Sequence, residues 1–207
     1  MSKGSKQGLF IAMAAIVIVA FFFAITSNRT SSNATAGQTG AKGTQTADGQ
    51  VDQATLDRIK GLEDTVKSGT KTVSVFTELG LLYFDAGELD KAAASFSSAI
   101  AIEPNNADLH VYLGLTYFWT GMTKEAMAEY QKAIVADPKA PDAYYQMALA
   151  QSHGQPTDIP GALANWKKVV ELAPDSPMAT KSKEYLDKYK DTTSLSGTAP
   201  PLGQAKP

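Results

Sequence analysis

Hydrophobic and small residues recur at a fixed interval of 34 positions through the middle of the chain. A Leu-Gly pair, followed after two residues by Tyr, stands at 79–83 and returns at 113–117. The later marks of the two copies are Ala92, Phe96, Ala99 and Pro104, and then Ala126, Tyr130, Ala133 and Pro138. A third copy has Ala148 in place of the Gly and two extra residues in its turn. The spacing predicts three repeats, at 73–106, 107–140 and 141–176.

Each repeat predicts a pair of helices. Apolar residues at i, i+3 and i+7, such as Phe76, Leu79 and Tyr83, indicate the first helix of a pair. A Pro ends the second helix, because Pro has no N–H and disfavours helix in the residue before it. A Gly inside a helix costs about 1 kcal/mol relative to Ala. Gly80 and Gly114 therefore indicate two helices that approach too closely to leave room for a Cβ.

Two further helices are expected to flank the repeats. In segment 51–70 the side chains of Leu56, Ile59, Leu62 and Val66 are expected to share one face of a helix from about 52 to 67. Segment 177–190 predicts a terminal helix with a polar outer face, which caps a stack of repeats. Residues 191–207 are rich in Thr, Ser, Gly and Pro, a composition typical of a disordered tail.

The N-terminal segments predict a membrane anchor. Residues 8–27 are uncharged and mostly apolar, and twenty helical residues span about 30 Å, the thickness of a bilayer core. Lys3 and Lys6 favour a cytoplasmic location for residues 1–7. The repeats then lie outside the cytoplasm of a single-pass inner (plasma) membrane protein, behind a disordered linker at 28–50. A cleaved signal peptide and an inverted orientation are the alternatives.

The repeat marks resemble those of the tetratricopeptide repeat (TPR) family, most fully in the first two copies. The resemblance implies an all-α solenoid of helical hairpins, here three repeats with flanking helices after one N-terminal transmembrane helix. It also implies that fixed positions of each first helix face a concave groove. The candidate peptide-binding residues at these positions are Thr77, Leu81, Phe84, Val111, Leu115, Phe118, Trp119, Tyr145 and Leu149.

This candidate groove is a row of Leu and aromatic residues, which is typical of a surface that binds a protein or peptide partner. The alternative is that these side chains pack on neighbouring helices of the same chain. In one TPR variant Lys, Arg and Asn at these positions grip a C-terminal carboxylate. Here Thr77, Leu81, Val111 and Leu115 stand instead, so we do not expect that type of recognition.

Charge and composition narrow the possible functions. The chain has no Cys and only two His, and it shows no phosphate-binding loop, metal-ligand spacing or nucleophile motif. We therefore expect neither an enzyme nor a cofactor or metal site. The repeats hold 6 Lys, no Arg and 13 Asp and Glu, a balance that disfavours nucleic acid.

The sequence thus predicts a bacterial, membrane-anchored scaffold or adaptor that binds a peptide or helical segment and supports assembly of an envelope complex. Two alternatives stay open. One is a structural protein that self-associates. The other is a chaperone for an apoprotein, weakly similar to the TPR proteins of cytochrome c maturation.

Overall fold

The computed structural model describes residues 51–154 and 157–190. The predictions for segments 1–50 and 191–207 lie outside these residues. In the described part of the chain, eight helices follow one another: α1 (Gln53–Lys67), α2 (Val73–Asp85), α3 (Leu89–Ile102), α4 (Ala107–Trp119), α5 (Thr123–Ala136), α6 (Pro141–His153), α7 (Ile159–Leu172) and α8 (Pro177–Tyr189). None of these helices is both long and apolar enough to cross a bilayer.

The helices form a stack of hairpins, which confirms the all-α solenoid predicted for this part of the chain. Helices α2 and α3, α4 and α5, and α6 and α7 pair as hairpins, while α1 packs on α2 and α8 packs on α7. The first helices of successive units also lie side by side, with α4 against α6 and α6 against α8. One face of the stack is therefore built from first helices.

Local signals set where the helices begin and turn. The side chains of Asp52, Thr72 and Asn106 accept hydrogen bonds from backbone N–H groups in the first turns of α1, α2 and α4. Gly87 and Gly121 follow α2 and α4 with φ of 77° and 81°. This left-handed conformation is easy for Gly and lets the chain reverse within each hairpin.

The close helix approach predicted at Gly80 and Gly114 is confirmed. A Cβ placed on Gly114 would lie 2.6 Å from Cε1 of Tyr130 and 3.1 Å from the Ala126 carbonyl oxygen. A Cβ on Gly80 would likewise lie 2.6 Å from Cδ1 of Phe96. In each hairpin, the ring of the second helix occupies the space that a side chain on the first helix would need.

The third hairpin packs differently. Ala148 replaces the Gly and Trp166 replaces the smaller ring, and both residues are fully buried. The Trp166 indole stacks on Tyr185 and Tyr189 of α8, with centroid distances of 4.6 and 5.9 Å and interplanar angles of 10° and 9°. In the first hairpin, the ring of Phe96 contacts Tyr112 of α4 with an interplanar angle of 32°. Helix α8 thus closes the stack through flat aromatic contacts.

Candidate peptide-binding surface

The nine candidate binding residues all lie on α2, α4 and α6, the first helices of the three hairpins. We call this set the first-helix face: Thr77, Leu81, Phe84, Val111, Leu115, Phe118, Trp119, Tyr145 and Leu149. The helices α2, α4 and α6 contribute three, four and two of them. Apart from the adjacent Phe118 and Trp119, the spacings are three, four or seven residues, which place side chains on one side of a helix. The three groups therefore lie on the first helices of successive hairpins.

Three of the nine side chains are buried in the fold. Val111, Leu115 and Tyr145 are only 4%, 3% and 5% exposed. Val111 packs in a cluster with Ala133 and Ala143 of the neighbouring helices. The expectation of a continuous open row does not hold at these positions, because the helices approach closely enough to cover them. Direct contact between these three residues and a ligand stays a prediction.

The other six residues are half-buried: Thr77, Leu81, Phe84, Phe118, Trp119 and Leu149. Leu81 and Phe84 pack against the core cluster that contains Tyr83, and Phe118 packs against the cluster that contains Tyr130. The Thr77 hydroxyl donates to the Val73 carbonyl at 2.8 Å. Each side chain is thus partly used by the fold, and the remainder of its surface stays accessible from outside.

Tyr185 of α8 continues this surface and was missed in the sequence. It lies 36 residues after Leu149, whereas Leu81, Leu115 and Leu149 are 34 apart, because the third repeat has two extra residues. Burial and the neighbouring Tyr185 and Glu184 raise the pKa of the Tyr145 hydroxyl. The sequence signal that identifies Tyr185 is the 34-residue period, lengthened to 36 by the two extra residues in the turn of the third repeat.

Carboxylates lie in line with the apolar residues of the first-helix face. Asp108 and Asp142 stand seven residues before Leu115 and Leu149, and Asp85 stands four residues after Leu81. Burial raises the pKa of Asp85 to about 6. The sequence positions that the resemblance assigns to the groove contain no Lys or Arg in any of the three repeats. Of the three carboxylates, Asp108 is exposed, Asp85 is half-buried and Asp142 is buried.

A buried polar network lies between α4 and α5. Nδ1 of His110 lies 2.7 Å from Oε2 of Glu129, and Nε2 of His110 lies 2.9 Å from the Pro104 carbonyl oxygen. Lys132 donates to the other oxygen of Glu129 at 2.7 Å. The two partners of His110 explain how a polar ring replaces a packing aromatic residue here. Among the described residues, no group of three or more His, Asp and Glu is arranged to hold a metal ion.

Comparison with known proteins identifies the fold. A family model described as tetratricopeptide repeat matches residues 83–152. No curated protein sequence matches the chain significantly.

Several solved structures are similar to the chain. A crystal structure of MamA protein is 25% identical, with a TM-score of 0.53, over 74% of this chain and 72% of that one. YrrB, described as a TPR protein with an unusual peptide-binding site, is 19% identical, with a TM-score of 0.56, over 64% of this chain and 67% of that one. The first TPR of Spaghetti (RPAP3), bound to the HSP90 peptide SRMEEVD, is 21% identical, with a TM-score of 0.54, over 59% and 95% of the two chains.

Proposed function

We propose that this chain, whose residues 83–152 match a tetratricopeptide repeat model, is a protein–protein interaction scaffold that binds a peptide or helical segment on its first-helix face. Two structurally similar proteins are described as binding peptides. Repeats of this family are generally interaction modules, so a binding role is proposed in place of a catalytic one.

One observation carries the proposal. Leu81, Phe84, Phe118 and Leu149, from three successive first helices, are only half-buried although they are large and apolar. Apolar side chains that converge on one surface and keep accessible area are typical of binding sites, and aromatic residues among them are typical hot spots. A ligand that covers them gains the hydrophobic free energy that the fold leaves unused.

Site-specific photo-crosslinking tests this proposal. A photoreactive phenylalanine analogue at Phe84 or Phe118 preserves an aromatic ring at its native position, so the fold is retained. Each substituted full-length chain, irradiated in its native cells, should give the same crosslinked partner. The matched control is Val135 on α5, which is 73% exposed and lies on a second helix. Absence of adducts at both Phe positions, or the same adducts at Val135, would contradict the scaffold role.

We also propose that residues 8–27 anchor this scaffold in the plasma membrane, where it supports assembly of an envelope complex. The uncharged apolar length and the preceding Lys3 and Lys6 support this topology. Protease added to intact spheroplasts should digest the repeat domain if it lies outside the cytoplasm. Digestion only after the membrane is lysed would reverse the orientation, and recovery of the full chain in the soluble fraction would remove the anchor.

A further inference from the structure

Both ring nitrogens of His110 face oxygen atoms inside the fold. Nε2 lies 2.9 Å from the carbonyl oxygen of Pro104, and Nδ1 lies 2.7 Å from Oε2 of Glu129. The side chains of His110 and Glu129 are only 6% and 11% exposed, so solvent has little access to these contacts. The two oxygen atoms therefore decide which protons the ring must carry.

The two contacts require more protons than a neutral imidazole has. A carbonyl oxygen only accepts, so Nε2 must carry the hydrogen of the contact with Pro104. The other nitrogen of a neutral imidazole is an acceptor, and the lone pair of Nδ1 would then point at Oε2 of an ionised Glu129. Rotating the ring by half a turn would place carbon atoms opposite both oxygens and remove both hydrogen bonds. Both contacts are thus satisfied only when a second proton lies between Nδ1 and Oε2.

Contacts on the carboxyl group of Glu129 indicate where this proton lies. Nζ of Lys132 lies 2.7 Å from Oε1 of Glu129, so each oxygen of the group has a partner of its own. An ionised carboxyl accepts at both oxygens, and hydrogen bonds between charged groups are stronger than those between neutral ones. With the proton on His110, the imidazolium donates to Glu129 and to Pro104, and every polar atom of the network is satisfied.

Other charged groups lie at the same end of the second hairpin, where α4 begins and α5 ends. They belong to α4 and to the helices and loops beside it: Glu103, Asp108, Lys132, Asp137, Lys139 and Asp142. Lys132 and Lys139 are exposed, so water and salt screen their charges. Asp142 is buried, and Oδ1 of Asp137 accepts from the backbone N–H of Lys139 at 2.9 Å. Four acidic groups against two basic ones favour a positive charge on the ring.

We propose that His110 and Glu129 form a proton-binding site that is occupied at neutral pH, with His110 as the imidazolium, and that this proton stabilises the second hairpin. The site ties the first turn of α4 to α5 through Glu129 and to the preceding loop through Pro104. At alkaline pH the proton leaves, the contact between Nδ1 and Oε2 is no longer a hydrogen bond, and the hairpin that carries Phe118 and Trp119 is weakened. This inference does not depend on the proposed scaffold function.

A proton held by the folded chain makes stability depend on pH. In the unfolded chain an imidazole loses its proton near about pH 6.5. The folded chain retains the proton above that pH, so the stabilisation is fully present below about pH 6.5 and is lost as pH rises until the folded pair also releases the proton. Within this window the equilibrium constant of unfolding should rise by up to about 10-fold per pH unit, the value for one proton.

Nuclear magnetic resonance of the ring nitrogens observes this proton directly. The full-length chain in detergent, with isotopically labelled histidine, has only two His, and the variant His153→Gln identifies the signals of His110. At about pH 7.5 we expect both ring nitrogens of His110 to show the chemical shifts of protonated nitrogens. An unprotonated Nδ1 at this pH would place the proton on Glu129 or remove it, and would overturn the proposal.

The variant Glu129→Gln provides a second, independent test. Gln has nearly the same shape, and its amide can donate to Nδ1 of a neutral ring, so the second proton is no longer needed. Urea unfolding of the two proteins between about pH 6.5 and 9 should show the wild type losing stability relative to Glu129→Gln, by up to about 10-fold in the equilibrium constant per pH unit.

The matched control is His153→Gln, which removes the exposed imidazole at the end of α6 and should leave the pH dependence of the wild type unchanged. A constant stability difference between wild type and Glu129→Gln over the whole range would contradict the proton-binding site. If Glu129→Gln does not fold, the ring-nitrogen spectrum of the His110 signals decides the question alone.

Discussion

Two tyrosine hydroxyls illustrate how differently single polar atoms contribute to this fold. The Tyr83 hydroxyl donates to Oε1 of Glu63 at 2.5 Å and thereby ties α2 to α1. The Tyr130 hydroxyl is fully buried and has no hydrogen-bond partner in the part of the chain that the structure describes. A buried hydroxyl without a partner loses its hydration with no compensation, whereas a paired one regains most of it.

We therefore expect opposite effects from the same substitution. Tyr130→Phe should raise the free energy of unfolding by about 0.5–1 kcal/mol, and Tyr83→Phe should lower it by about 1 kcal/mol. Urea unfolding of the two variants beside the wild type measures the difference. A clear loss of stability in Tyr130→Phe would reveal a bound partner, such as an internal water, at that hydroxyl.

Asp85 is expected to make stability depend on pH. Burial raises the pKa of Asp85 to about 6, above the usual value of 3.8, so the folded state retains this proton more strongly than the unfolded state. Its contribution is fully favourable below pH 3.8 and is lost as pH rises through about 6. At pH 7.5 Asp85→Asn should be about 1 kcal/mol more stable than the wild type, a figure reduced for partial exposure.

Thermal unfolding of wild type and Asp85→Asn between pH 4 and 8 measures this linkage. The stability difference between the two proteins should grow over the range in which Asp85 ionises. A constant difference over the whole range would show that the carboxyl titrates normally in the folded protein.

At the scale of helices, glycine has two distinct roles in this chain. Gly114 of α4 is in contact with the Tyr130 ring, whereas a Cβ on Gly61 of α1 would have no neighbour within 4 Å. Gly114→Ala should therefore destabilise the protein by about 1–3 kcal/mol through overpacking. Gly61→Ala should stabilise it by about 0.5–1 kcal/mol, because Ala is the better helix former. Chemical denaturation of both variants measures these changes, and equal effects would contradict the packing described for α4 and α5.

The helices themselves could be largely predicted from the sequence, since their signals are local and repeated. Asp52 caps α1, the Leu-Gly pairs mark α2 and α4, and Gly87 and Gly121 mark the turns. The polar network of His110 could not be predicted. Its partner Glu129 lies 19 residues away, and no short-range spacing links the two.

The burial of the candidate binding residues also could not be predicted. The period of 34 assigns Val111, Leu115 and Leu149 to one side of their helices, but it does not state how closely the next helix approaches. Leu115 and Leu149 occupy equivalent positions, and only Leu149 keeps substantial exposed surface. Burial of this kind depends on neighbouring repeats, which the marks of a single repeat do not describe.

For the whole molecule, stability depends on how the stack is closed. Trp166 is fully buried beneath the rings of Tyr185 and Tyr189 on α8. A chain that stops at residue 176 should expose this indole and lose roughly 3 kcal/mol or more of stability. In a Trp119→Phe background, the fluorescence of Trp166 should shift to longer wavelength. A chain that stops at residue 190 is the control and should keep the emission of the full chain, and an unshifted spectrum in the shorter chain would contradict the capping role of α8.

The unusual third hairpin limits how such a protein can grow by duplication. The first and second hairpins share the same Gly-to-ring packing. A further copy of 107–140 inserted after residue 140 should therefore pack on its neighbours as the second repeat does now. The same copy appended after residue 176 would place Leu115 at the position of Tyr185, whose ring now stacks on Trp166. Lengthening by gene duplication is thus expected to be tolerated within the array and resisted at its C-terminal end.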